Sequence, residues 1–280
     1  MTVDTKATRR TQRQPRSLAA AIDDLLKRAE ADLGQEETVH DLRVTCRRLE
    51  AATRVSPSVL PEKRLRKVRR AAQAIRRAFD EARDLEVIAA ELSAVAGLSA
   101  SFLEGVTMAA AAPRAATSAR KRIERELERL TTVRRSLDGN ATPSRAAYAL
   151  AVRTHIAAFF DELDRLLPES TDDALHEARI SAKRLRYEME IGRAVFPRLV
   201  TQVKRIKRLQ DVLGRHQDAF VGLRWAEALA EGEMSATASD RAAVMRHYAA
   251  LHRGQRSQLR RLLAGWREAE MRGRMTRALT

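Results

Sequence analysis

The chain has 280 residues, 44% of them hydrophobic but only 4% aromatic, with a net charge of +16. Its 11 glycines and 7 prolines are few for that length, and the composition is that of packed long helices. One cysteine excludes an intramolecular disulfide and a four-cysteine zinc site, no apolar run approaches the ~18 residues of a membrane span, and the excess charge calls for a polyanionic partner.

Met1 to Arg16 is polar and basic and lacks the apolar core of a signal peptide. It is expected to be disordered, and the chain to be cytoplasmic. Ser17 to Leu33 reads as a first helix, with Leu18, Ile22, Leu25, Leu26 and Ala29 inward and Gly34 as its stop. A second helix follows from about Glu36 to Val55, and Pro57 ends it. A third begins at Pro61, with Leu65, Val68, Ala72, Ile75 and Phe79 at helical spacing and Lys63, Arg66, Lys67, Arg70 and Arg77 opposite. Ala94 to Ala112 is alanine-rich and yields only a loop at Gly97. A helix from about Ala115 to Leu137 carries dense Arg-Glu pairs on a solvated face.

Asp138-Gly139-Asn140 reads as a turn, and Thr142-Pro143 opens the second half. Ala146 to Leu167 is helical. Thr171-Asp172-Asp173 offers a cap and an acidic first turn to the next helix, which Pro197 ends. Val203 to roughly Glu231 repeats the third helix: Ile206, Leu209 and Leu213 on one side, Lys204, Lys207, Arg208 and Arg215 on the other. Gly214 inside it suggests close packing or a kink. Gly232 to Ser239 is a loop, Asp240 to about Arg272 a last long helix, and 273–280 a frayed tail.

One stretch occurs twice. VHDLRVTCRRLE (Val39 to Glu50) returns as LHEARISAKRLR (Leu175 to Arg186), offset by 136 residues. His40/His176, Arg43/Arg179, Arg48/Arg184 and Leu49/Leu185 are identical pairs, and five other pairs are conservative. At about 100° per residue, His40, Arg43, Arg47 and Arg54 share a stripe beside the apolar seam of Val39, Leu42, Cys46 and Leu49. In the second copy His176, Arg179, Lys183 and Arg186 lie beside Leu175, Ala178, Ala182 and Leu185. A repeat that keeps a histidine and basic positions keeps a surface. Cys46, on the seam, reads as a buried inert thiol. The element order, helix, signature helix, basic helix, long helix, then the same again, gives an all-α chain of two four-helix bundle halves.

The doubled signature, with the basic helices that follow it, resembles the CHAD domain, the conserved histidine α-helical domain. The resemblance spans about residues 17–272, as repeats 17–138 and 143–272. It implies two four-helix bundles with pseudo-twofold symmetry that bind inorganic polyphosphate on a basic surface. The positions it implies are His40, Arg43, Arg47, Arg48, His176, Arg179, Lys183, Arg184 and Arg186, with Arg66, Lys67, Arg70, Lys204, Lys207 and Arg208 from the basic helices. It also implies association with polyphosphate granules. Glu50 stands where the second copy has Arg186, which predicts weaker binding at that edge of the first half. The ExExK strand motif of the triphosphatase domain fused to some members is absent from this sequence.

The residues support a polyanion ligand independently. A ligand without bases needs dense fixed cations and no stacking platforms, and only Tyr187 lies near the proposed face. Arginine grips phosphate oxygens bidentately. His40 and His176 are expected to be protonated against the ligand, so that affinity rises between about pH 8 and about pH 6; the alternative is that they fix helix packing. His155, His216, His247 and His252 read as scattered surface or packing residues. No GxxxxGK, GxGxxG or HExxH is present. Asp84 and Asp218 match at the ends of the basic helices and are read as salt-bridge partners rather than metal ligands. The expectation is a non-enzymatic binder with no cofactor and no metal. Nucleic acid, held by its sugar-phosphate backbone, is the alternative partner, and an acidic protein a third.

Overall fold

The computed structural model describes residues 17–29, 36–57, 59–78, 87–111, 117–137, 142–166, 170–230, 236–268 and 270–280. Among them every regular element is helical. The helices are α1 (Leu18–Ala29), α2 (Glu36–Arg54), α3 (Glu62–Arg77), α4 (Ala100–Ala111), α5 (Thr117–Arg135), α6 (Arg145–Asp164), α7 (Asp172–Ile191), α8 (Leu199–Ala230), α9 (Ala238–Glu268) and α10 (Met271–Arg277). A short helical stretch covers 87–92, and a 3-10 turn, Gly192–Ala194, follows α7. The expectations for Met1 to Arg16, the stop at Gly34, Phe79, Asp84 and the Asp138-Gly139-Asn140 turn lie outside the described residues.

The apolar spacing places the first core where it was expected. Leu18, Ile22 and Leu25 of α1 meet Leu42, Cys46 and Leu49 of α2, Leu65, Val68 and Ile75 of α3, and Ile123 and Leu130 of α5. Burial pushes the Cys46 thiol well above its ordinary range, so it stays protonated. The second core joins Val152, Ile156 and Phe159 of α6, Leu175, Ala178 and Leu185 of α7, Ile206 and Leu209 of α8, and Leu259 and Trp266 of α9. Local chemistry starts its helices: Ser144 Oγ accepts from the Ala147 N–H at 3.1 Å, and Thr171 Oγ1 from the Ala174 N–H at 3.2 Å.

The structure departs from the sequence reading in three places. First, Ala100–Ala111 is a helix, and there is a third core. Helices α8 and α9 run 32 and 31 residues, about 48 Å at about 1.5 Å per residue, so their hairpin overshoots the second core. Ala226, Leu229, Val244 and Tyr248 on its far ends pack with Ile88, Leu92, Phe102 and Val106. The boundary near residue 140 therefore divides the sequence but not the packing. Asp240 fastens this junction. It accepts from the Ser99 N–H and Oγ–H at 2.8 and 2.9 Å, and from the Thr237 N–H and Oγ1–H at 3.1 and 2.7 Å. Thr237 Oγ1 accepts in return from the Asp240 N–H, which closes a capping box at the start of α9.

Second, 273–280 is not a frayed tail. Glu270 takes a positive φ of 48°, the chain reverses, and α10 returns its apolar side chains to the second core. Met275, Ala278 and Leu279 are all buried there. Third, Gly214 is not the glycine that close packing requires. A Cβ there would meet only Arg179 Nε at 4.0 Å, an ordinary contact, whereas at Gly222 it would fall inside the Tyr248 ring. Gly222 lets the α9 tyrosine lie against the α8 backbone.

Two predictions follow from these contacts. Gly222→Ala loses about 1–3 kcal/mol of stability by overpacking, while Gly214→Ala is neutral or gains up to about 1 kcal/mol of helix propensity; urea unfolding separates them. The four donors around Asp240, the Ser99 N–H first, hold its carboxyl down at about 2. Its contribution to stability is thus complete above the unfolded value of about 3.9 and is lost as pH falls toward about 2. Asp240→Ala is expected to lower the melting temperature at pH 7 and to weaken its fall between about pH 4 and about pH 2.

Candidate functional site

The two signature helices, α2 and α7, pack against each other. Val55, just past α2, belongs to the second core, and Ile191 at the end of α7 packs against both cores. These two residues are 136 positions apart, the offset of the sequence repeat. Each helix thus extends an apolar end into the other half's core. That exchange brings basic residues together. The Arg54 guanidinium of α2 is partly buried, and its Nε finds no hydrogen-bond acceptor. Burial lowers its proton affinity first, and the neighbouring Arg184 of α7 lowers it further. Glu188 is the nearby counter-charge, but its carboxylate already holds His155 Nδ1 at 2.8 Å.

The candidate residues sort by the position of their helix. Helix α2 is flanked by α1, α3 and α7, and α7 by α6, α8 and α2. Their basic stripes are therefore walls rather than open surface. Arg43 is buried, at 8% exposure, and Arg47, Arg48, Arg179 and Lys183 are half-buried. Arg179 lies over Gly214 of α8. Among the signature cations whose side chains are described, only Arg184 is exposed. The side chain of His40 lies outside the described residues. His176 Nδ1 sits 2.8 Å from Gln217 Oε1 on α8. With the amide oxygen accepting, Nδ1 carries a proton, and Nε2 becomes a donor only when the ring is protonated.

Arg186 is engaged within its own helix. Its Nη1 pairs with Glu190 at 3.2 Å, and its guanidinium lies 4.2 Å from the centre of the buried Tyr187 ring. Glu50, at the equivalent position, takes Arg76 of α3 at 3.4 Å and Gln73 at 3.3 Å. Each half thus pairs this position internally, Glu50 with a cation of α3 and Arg186 with a carboxylate of its own helix.

The flanking helices carry the open cations. Helix α3 turns Leu65, Val68 and Ile75 inward and exposes Lys63, Arg66, Lys67, Arg70 and Arg77. Helix α8 turns Ile206 and Leu209 inward and exposes Lys204, Lys207, Arg208 and Arg215, with Lys207 Nζ 2.7 Å from Asp211. No aromatic residue whose side chain is described is exposed.

Sequence reasoning missed one cluster. His216 and His252, read as scattered, converge with Asp172 at the start of α7. Asp172 Oδ1 lies 3.0 Å from His252 Nε2, 3.1 Å from His216 Nε2 and 2.7 Å from Arg256 Nη1. The partners come from three helices, 44 and 36 residues apart, and no short-range spacing marks them. Two further histidines read as scattered also meet carboxylates, His155 at Glu188 and His247 at Glu91. Asp218 is exposed, and Asp84 lies outside the described residues.

Among the described residues, no helix is long and apolar enough to cross a membrane. No curated protein matches the chain. A solved structure, "Crystal structure of the CHAD domain from the plant Ricinus communis", matches with a TM-score of 0.62 at 20% identity over 90% of each chain. At that identity the likeness is one of fold. The family model for the CHAD domain matches residues 16–227, most of the chain, and the chain belongs to the CHAD domain family.

Proposed function

We propose that this chain binds inorganic polyphosphate and acts as a binding protein rather than an enzyme. The observation that carries the reading is the pairing of dense cations with an absence of stacking surfaces. Two helices, α3 and α8, expose rows of lysine and arginine, the α2–α7 pair that they flank carries Arg54 and Arg184 as interacting like charges, and no described aromatic is exposed. A chain of phosphates offers charge at every unit and no base to stack. A single-stranded nucleic-acid site would add aromatic platforms. Capture is electrostatic: the exposed rows on Arg66, Lys67, Arg70, Lys204, Lys207 and Arg208 take phosphate oxygens, with Arg184 between them. The half-buried Arg47, Arg48, Arg179 and Lys183 supply fixed positive potential from behind. Residence on polyphosphate granules would follow from such binding.

The test is a competition titration at near-physiological salt. Labelled long-chain polyphosphate is challenged with DNA and with RNA at equal phosphate concentration. Each charge-assisted contact contributes ~1.5–3 kcal/mol. The variant Arg66→Glu/Arg70→Glu/Lys204→Glu/Arg208→Glu, all exposed positions, should therefore lose at least about tenfold in affinity while keeping its fold. Lys121→Glu/Arg122→Glu on α5 should change little. If nucleic acid displaces the label as well as polyphosphate does, the ligand is nucleic acid and the reading fails.

A further inference from the structure

We propose that Asp172, His216 and His252 form a site for a divalent transition metal of the zinc class, clasping the start of α7 to α8 and α9. The three ligand atoms, Asp172 Oδ1, His216 Nε2 and His252 Nε2, lie within 4.8 Å of one another. The two oxygen–nitrogen separations are 3.0 and 3.1 Å. Ligand atoms about 2.0–2.1 Å from a tetrahedral ion stand about 3.3 Å apart. A widening of a few tenths of an ångström would bring those two separations to that value.

A second observation points to a ligand. His216 is 1% exposed, and its Nε2 makes no hydrogen bond despite facing the carboxylate. A buried imidazole nitrogen needs a partner, and a metal ion supplies one. Two imidazole nitrogens and one carboxylate oxygen suit zinc or cobalt rather than calcium or magnesium. His252 and Asp172 keep 14% and 21% side-chain exposure, so water can complete the shell.

Arg256 is the competing cation. Its Nη1 lies 2.7 Å from Asp172 Oδ1, while its Nη2 is anchored on the Ser170 carbonyl at 2.5 Å. A carboxylate has two oxygens, and a metal on Oδ1 leaves Oδ2 for the guanidinium, which then orients the ligand from behind. An anion is not an alternative occupant, because the Asp172 carboxylate sits at the centre of the cluster.

The test uses the full chain, stripped with chelator and free of polyphosphate, so its outcome is independent of the ligand reading above. Zinc chloride is titrated calorimetrically, and cobalt(II) chloride is followed by visible absorption. The expected result is one ion per chain, a cobalt spectrum of four-coordinate type, and a loss of roughly tenfold or more in affinity for His252→Ala and for Asp172→Asn. His247→Ala, whose ring meets Glu91, should bind as the parent does. Absence of one-to-one binding by the unaltered chain, or binding undiminished in both variants, overturns the proposal.

Discussion

The structure depends on two cation-bearing helices being packed against each other. Helices α2 and α7 pack against each other, and the charge of Arg184 on one lowers the proton affinity of Arg54 on the other. Like charges at partial burial repel more strongly than they would in water. The contact persists because the same crossing sends Val55 and Ile191 into neighbouring cores, and apolar burial of this kind yields roughly 25 cal/mol per Å² removed from water. The repulsion is thus held in place by packing. Under the proposed function, a bound polyanion would relieve it.

The cations divide into two populations by what surrounds them. Those facing into the bundle are ordered by neighbours: Arg186 by Glu190 and Tyr187, Arg76 by Glu50, Arg256 by Asp172 and Ser170. Those on the outer faces of α3 and α8 project into solvent on flexible stems. The first group is fixed in place and largely neutralised by its carboxylate partners. Under the proposed function the second adapts to phosphates at irregular spacing, with an affinity expected to fall as salt rises. This division suits a flexible, repetitive anion better than a ligand of defined shape.

Much of this was legible in the sequence, and the misses have physical causes. The duplicated VHDLRVTCRRLE and LHEARISAKRLR segments revealed paired helices, and period-3.6 spacing placed Leu42, Cys46 and Leu49 in one core and Leu175 and Leu185 in the other. The cap at Thr171 followed from its hydroxyl and the acidic turn behind it. Periodicity reports which side of a helix is apolar, however, and not what stands against the polar side. The burial of Arg43 was therefore not visible. The third core was missed because the alanines that crowd Ala100–Ala111 blur the stripe of Phe102 and Val106, and their partners on α8 and α9 lie more than a hundred residues away. Gly222 resembled any helical glycine until Tyr248 was seen against it. His216 and His252 carry no motif with Asp172, since only the assembled helices bring them together.

The central claim is that cations from both halves hold one polyphosphate chain. The most direct measurement is the salt dependence of polyphosphate affinity for the unaltered chain and for variants neutralised in one half at a time, Arg66→Gln/Arg70→Gln and Lys204→Gln/Arg208→Gln. The account predicts a steep linear fall of log affinity with log salt, since each neutralised phosphate releases its counterion, and a shallower slope in either variant. A slope that is insensitive to both variants, or that responds in only one half, would contradict it.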